Sequence, residues 1–215
     1  MGSGKSCCAR VQGDREELTM TVEVEAKFAV ESLDELRVKL RRLGGLHKKC
    51  RFERNAVFDT PGRDLKAKGE LLRLRQTDVA VLTWKKPSDQ PAPAGVKVMN
   101  EVETGVDDFE AMRRVLRGLG YEEALWYEKF REQWRLGKTV VCLDLLPFGE
   151  YVEIEGDPAA IAQAAGCLGL DMGQARALTY HDLYREHLAR LGLPQHDSFI
   201  FSEQDRARLS VKFVM

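Results

Sequence analysis

Taken two residues at a time, the strand-like stretches of this chain put ionisable side chains on one parity and apolar side chains on the other. Glu23, Glu25 and Lys27, Arg73 and Arg75, Lys85, Glu101 and Glu103, Lys129 and Arg131, Asp144, and Glu153 and Glu155 share the first parity. Val22 and Val24, Leu72 and Leu74, Leu82 and Trp84, Val102, Phe130, Leu143 and Leu145, and Val152 and Ile154 share the second. Residues two apart in a strand point to the same side of a sheet, so each strand has a charged face and an apolar face. A one-sided antiparallel sheet with its charged face in solvent alternates in the same way. Two features point elsewhere. Solvent faces mix in Ser, Thr and Gln, whereas these positions are almost wholly ionisable, and their signs are largely segregated by strand.

Like charges on one strand repel, and a ligand accounts for them better than stability does. Lysine and arginine clasp phosphate oxygens, arginine bidentately. Clustered carboxylates suit Mg2+ or Mn2+ held together with phosphate oxygens. A closed β-barrel would set both groups around one polar lumen and pack the apolar parity against outer helices. The pattern predicts a metal-assisted site for a polyanion, with the one-sided sheet as the alternative.

About eight strands in mostly antiparallel succession are expected over 21–30, 49–59, 70–76, 79–86, 96–104, 127–135, 139–145 and 151–155. Helices are expected from the capping box Ser32-Leu33-Asp34-Glu35 to Gly44, from Asp107-Asp108 to about Gly118, from Asp157-Pro158 to about Leu168, and over about 173–191. Strands and helices do not alternate as in a doubly wound fold, so the expected class is α+β. Residues 87–95, with three prolines, read as a mobile loop. The chain divides into a flexible leader over 1–19, one domain over 20–193, and a tail over 194–215 with no clear pattern.

Composition removes several function classes. The 33 Lys and Arg balance 34 Asp and Glu, a net charge of −1 that gives no basic excess for a nucleic-acid duplex. Five scattered cysteines without a C-x-x-C pair suggest neither a zinc site nor a disulfide framework. No apolar run approaches the roughly 18 residues of a membrane span, and residues 1–19 lack the apolar stretch of a signal peptide. A cytoplasmic protein is expected. Gly2-Ser3-Gly4-Lys5-Ser6 has the ending of a P-loop without its earlier glycine and preceding strand, and reads as leader.

Glu23-Val24-Glu25-Ala26-Lys27 is an E-x-E-x-K pattern, weak on its own. It is followed in order by Phe58-Asp59-Thr60-Pro61, Leu72-Arg73-Leu74-Arg75, Leu82-Thr83-Trp84-Lys85-Lys86-Pro87, Glu101-Val102-Glu103, Lys129-Phe130-Arg131, Leu143-Asp144 and the run from Phe148 to Glu155. The ordered set resembles the CYTH, or triphosphate tunnel, family over about residues 20–190, nearest its class IV adenylyl cyclase-like branch. The resemblance implies a closed eight-stranded antiparallel barrel that encloses a triphosphate, with helices outside and Mg2+ or Mn2+ as cofactor. It implies phosphate contacts from Lys27, Arg73, Arg75, Lys85, Lys129 and Arg131. It implies metal ligation by Asp144, Glu153 and Glu155 with Glu25, and catalytic roles for Glu23, Glu25 and Lys27. Glu101 and Glu103 would serve either a second metal or charge pairing. Tyr180 either reaches the tunnel or is buried beneath a helix. The four histidines match no motif.

The same grip serves more than one reaction. Attack by water makes the chain a hydrolase of inorganic triphosphate, thiamine triphosphate or a nucleoside triphosphate, which is the expected activity. Attack by the ribose 3′-hydroxyl of ATP makes it an adenylyl cyclase, the alternative. A non-catalytic polyphosphate or nucleotide sensor is the third reading, against which the full carboxylate set argues. The oligomeric state and the organic group of the substrate are not encoded in these signals.

Overall fold

In the computed structural model, which describes residues 20–214, the alternation resolves into a ring of strands. The strands are β1 (Thr21–Val30), β2 (Leu46–Asp59), β3 (Leu71–Gln76), β4 (Ala80–Pro87), β5 (Val96–Val106), β6 (Glu122–Leu136), β7 (Thr139–Leu146) and β8 (Gly149–Glu155). They run in the order β1-β5-β4-β3-β2-β6-β7-β8, and β1 pairs with both β5 and β8, so the antiparallel sheet closes on itself. The class is α+β, with six helices among the described residues. The leader, with its glycine-rich start, lies outside the described residues.

The apolar parity faces outward, beneath the helices. Ala26, Phe28, Val141, Leu143, Val152 and Ile154 are buried against α1 (Leu33–Arg42) and α4 (Pro158–Leu168). Ala56, Phe58, Leu72 and Leu74 lie under α3 (Phe109–Gly118). Burying such side chains contributes about 1.5–3 kcal/mol each, which ties each helix to its strands. Helix starts follow the caps: Ser32 accepts from the Glu35 amide, Asp108 from Ala111, and Asp157 from Ala159 and Ala160.

One expectation needs correction, and two elements go beyond the expectations. The helix expected over 173–191 is shorter: α5 spans Tyr180–Leu191, because Thr179 and Asp182 form a capping box that fixes its start. Upstream, the Arg176 amide donates to the Lys27 carbonyl at 2.8 Å, which draws 175–178 along β1 as extended chain. A short helix, α2 (Asp64–Ala67), escaped notice in the link after β2. The tail has structure: residues 198–201 dock on β6, and α6 (Glu203–Val214) follows. Phe199 and Phe201 are buried, and Arg206 pairs with the buried Glu128 at 3.0 Å. Among the described residues no helix is long and apolar enough to cross a membrane.

Candidate active site

Ion pairs that skip a strand show which way the charged parity points. Lys85 on β4 binds Glu23 on β1, with β5 lying between those strands. Arg73 on β3 reaches Glu103 on β5 at 3.4 Å, and Arg131 on β6 meets Glu153 on β8. Side chains on non-adjacent strands of a closed ring meet through its interior. The charged faces therefore line a lumen.

On one side of that lumen, Asp144 is fully buried and collects four hydrogen bonds. Arg131 donates at 2.7 and 2.5 Å, Lys129 at 3.0 Å, and the Tyr180 hydroxyl at 2.7 Å. Tyr180 thus reaches the lumen from the start of α5, with its ring against the Lys27 and Lys129 ammonium groups. Burial, with Asp144 and Glu153 nearby, pushes its phenol well above the ordinary range, so it remains a donor. Glu153 is held between Lys27, at 2.8 Å, and Arg131. Burial alone would raise its pKa, but Arg131, Lys27 and Lys129 overcome that and hold it well below the usual carboxylate range. Burial likewise works against the Lys27 ammonium, yet Glu153 and Glu25 keep its pKa above the ordinary value.

Across the lumen, Arg73 donates to Tyr127 at 3.2 Å and Thr83 at 3.3 Å, and Arg75 sits 3.5 Å from Glu103. Lys85 also pairs with Glu101 at 3.0 Å. Of the two roles open to Glu101 and Glu103, both make charge pairs here.

The carboxylates group differently from the expected metal set. Among the described residues, one trio brings carboxylate oxygens within 4.8 Å of one another: Glu23, Glu25 and Glu155. Asp144 and Glu153 are instead taken up by cations, because the ring order sets β6 beside β7 and brings Arg131 across to β8. Burial pushes the Glu155 carboxyl up to about 7; Arg131 opposes this, while Glu153, Glu23 and Glu25 add to it. Each of the trio also has a cation nearby, Lys85 for Glu23, Lys27 for Glu25 at 3.3 Å and Arg131 for Glu155 at 3.9 Å; three converging hard oxygen donors fit a divalent ion such as Mg2+ or Mn2+.

The lumen also holds residues the sequence reading left out. Glu53 is fully buried, 2.7 Å from Arg51 and 3.8 Å from Lys129. Burial disfavours its charge, but Lys129, Arg131, Arg75 and Arg51 keep it ionised. Asn55 is fully buried with both amide atoms unpartnered. Lys97, opposite Glu25 in the ladder, lines the same interior. A cavity of about 460 Å³ runs from Glu23, Glu25, Lys27, Arg73, Lys85 and Lys97 to one open end. That end is walled by Val57, Leu71, Leu125 and Tyr127 and rimmed by Arg63, Lys66, His181, Arg185 and Asp197. Asp197 joins the tail to the rim through Lys66 at 3.0 Å and Arg185 at 3.8 Å.

Fold and site together define a strand-ring protein with an ion-paired interior and a carboxylate cluster. The CYTH domain model matches residues 21–166, and the chain belongs to that family. A Methanocaldococcus jannaschii protein named as a putative adenylate cyclase is 27% identical over 136 residues, 62% of this chain and 76% of its own length. Among solved structures, a putative adenylate cyclase from Vibrio parahaemolyticus superposes with a TM-score of 0.65 at 21% identity, over 76% of this chain and 98% of that one. A Hippeastrum protein, described as a putative adenylyl cyclase with a dominant triphosphatase activity, gives a TM-score of 0.56 at 21% identity, over 80% of this chain and 97% of that one. At such identities the two structures speak for the fold.

Proposed function

We propose that this chain is a metal-dependent enzyme that hydrolyses a triphosphate-bearing small molecule held in the lumen. The observation that carries the reading is the meeting of two charge sets in one interior. Lys27, Arg73, Arg75, Lys85, Lys129 and Arg131 supply cations, and Glu23, Glu25 and Glu155 form a carboxylate cluster beside Lys85, Lys27 and Arg131. The cations spread the charge of the bound phosphates and of the leaving group, the main demand of phosphoryl transfer. They exchange carboxylate partners such as Glu103 and Glu101 for phosphate oxygens. Glu23, Glu25 and Glu155 would hold the divalent ion, which when bound neutralises phosphate charge. Glu23 and Glu25 also accept hydrogen bonds from the attacking water, and Lys27 between Glu25 and Glu153 orients the phosphate next to them.

A second reading, conversion of ATP to cyclic AMP, draws on the apolar wall of Val57, Leu71, Leu125 and Tyr127, which offers space for an organic group beyond the cations. Cyclisation asks for more than hydrolysis does, because the ribose 3′-hydroxyl must be fixed in line with phosphorus. Incubation with ATP, thiamine triphosphate and inorganic triphosphate, each with Mg2+ or Mn2+, followed by identification of every product, tests both. Linear products with released phosphate or pyrophosphate are expected. Cyclic AMP would establish the second reading, and tight binding without turnover would replace both with a sensor.

A further inference from the structure

The lumen cations are spoken for, with one exception. Lys27, Arg73, Arg75, Lys85, Lys129 and Arg131 each make at least one ion pair within 4.0 Å. Of the basic residues that line the cavity, Lys66 and Arg185 pair with Asp197. Two have side chains without an ion pair or hydrogen bond among the described residues: Arg63 and Lys97. Arg63 is exposed at the rim, where water satisfies a guanidinium. Lys97 is half-buried on β5 and lies in the interior. Its ladder partner Glu25 already serves Lys27 at 3.3 Å and belongs to the carboxylate cluster. Burial and the neighbouring charges of Lys27 and Lys85 disfavour its ammonium form, and Glu25 and Glu23 do not make up the difference. An interior cation without a partner lowers stability, so its presence asks for an anion from outside the chain.

We infer that Lys97 is a further substrate-binding residue, whose ammonium group takes a phosphate oxygen beside the Glu23–Glu25–Glu155 cluster. The inference rests on the triphosphate reading of the site. It assigns Lys97 to the ligand rather than to the fold, and this gives its removal an unusual pair of signs. A structural counter-ion of Glu25 would lower both stability and affinity when lost. A cation kept for substrate lowers affinity alone, and its loss leaves stability equal or higher, because repulsion with Lys27 and Lys85 is relieved.

The test compares wild type, Lys97→Met and Lys97→Arg by calorimetric titration with diimidotriphosphate, a hydrolysis-resistant triphosphate, in EDTA, alongside thermal melts. Lys97→Met is expected to bind about 10- to 100-fold more weakly, the range of one hydrogen bond to a charged group. Its melting temperature should equal or exceed that of wild type, and Lys97→Arg should bind nearly as well as wild type. Equal affinity in Lys97→Met, or a lowered melting temperature together with weaker binding, overturns the assignment of Lys97 while the triphosphate site stands. Failure of the wild-type protein to bind diimidotriphosphate overturns the triphosphate reading and the Lys97 assignment with it.

Discussion

Asp144→Asn exposes the difference between a carboxylate held by cations and one held for a metal. Asp144 is fully buried and accepts from Lys129, from two nitrogens of Arg131 and from Tyr180. Asparagine keeps the shape, removes the charge and turns an amino group toward donors. Removing one partner of a buried ion pair costs about 3–5 kcal/mol. Two contacts soften the loss, since Arg131 keeps Glu153 and Lys129 keeps Glu53 at 3.8 Å. The lower end, about 3 kcal/mol, is therefore expected in the metal-free protein. For a domain of this size that is a fall of about 6–12 °C in melting temperature. Circular dichroism melts of wild type and variant in EDTA measure it. If Asp144 instead stood in a cluster of unpaired acids awaiting a metal, removing its charge would relieve repulsion and raise the melting temperature. An unchanged or higher value in EDTA would refute the ion-pair account. Glu153→Gln carries the same sign, because Lys27 and Arg131 both lose a partner.

Arg73→Ala should lower kcat/KM for the turned-over triphosphate by about 10- to 100-fold, the scale of a hydrogen bond to a charged group; steady-state kinetics check this, and an unchanged value would remove Arg73 from the site. Glu25→Gln should raise the Mg2+ or Mn2+ concentration needed for half-maximal activity and leave the fold intact, as read from a metal titration beside a melt. Burial lowers the His181 pKa to about 4, with the contact to the Asp197 carbonyl and nearby carboxylates only partly opposing it. The unfolded chain thus binds the proton first, so stability present above pH about 6.5 is lost as pH falls toward 4. The loss is on the order of 3 kcal/mol, and urea denaturation from pH 7 to 4.5 should show it in wild type and show less of it in His181→Gln.

Much of this architecture is legible in the chain because the middles of β1, β3 and β8 alternate cleanly, with Val24, Ala26 and Phe28, Leu72 and Leu74, and Val152 and Ile154 apolar and set against helices. β2 hides its contribution. From His47 to Arg54 both parities carry charge, since Lys48 and Arg54 on its outer side are exposed, and a bulge at His47/Lys49 shifts the register. Arg51, Glu53 and Asn55 were lost in that mixture. Lys97 shares a parity with the apolar Met99, which broke the charged run that continues at Glu101 and Glu103. The partition of carboxylates was not legible. Whether Glu155 joins Glu23 and Glu25 or Asp144 depends on β1 lying between β5 and β8, a fact of the closed ring rather than of any one strand. The tail was opaque for a related reason. Ser198, Phe199 and Phe201 gain their meaning from partners on β6 more than 70 residues away.

That docking covers a strand edge that the ring leaves open. β7 pairs with β6 only from Phe130 onward, so one side of the preceding stretch of β6 lacks a neighbouring strand within the ring. The tail fills the gap: the Phe199 amide donates to the Trp126 carbonyl, the Glu128 amide donates to the Phe199 carbonyl, and Ser198 accepts from the Trp126 amide, each at 3.0 Å. An open strand edge is a template for pairing with another chain. A protein cut before Ser198 would present the bare amides and carbonyls of 126–128 to solvent, beside the apolar surface that Phe199 now covers. Its first fault would be concentration-dependent self-association, visible in light scattering even while the ring itself stays folded.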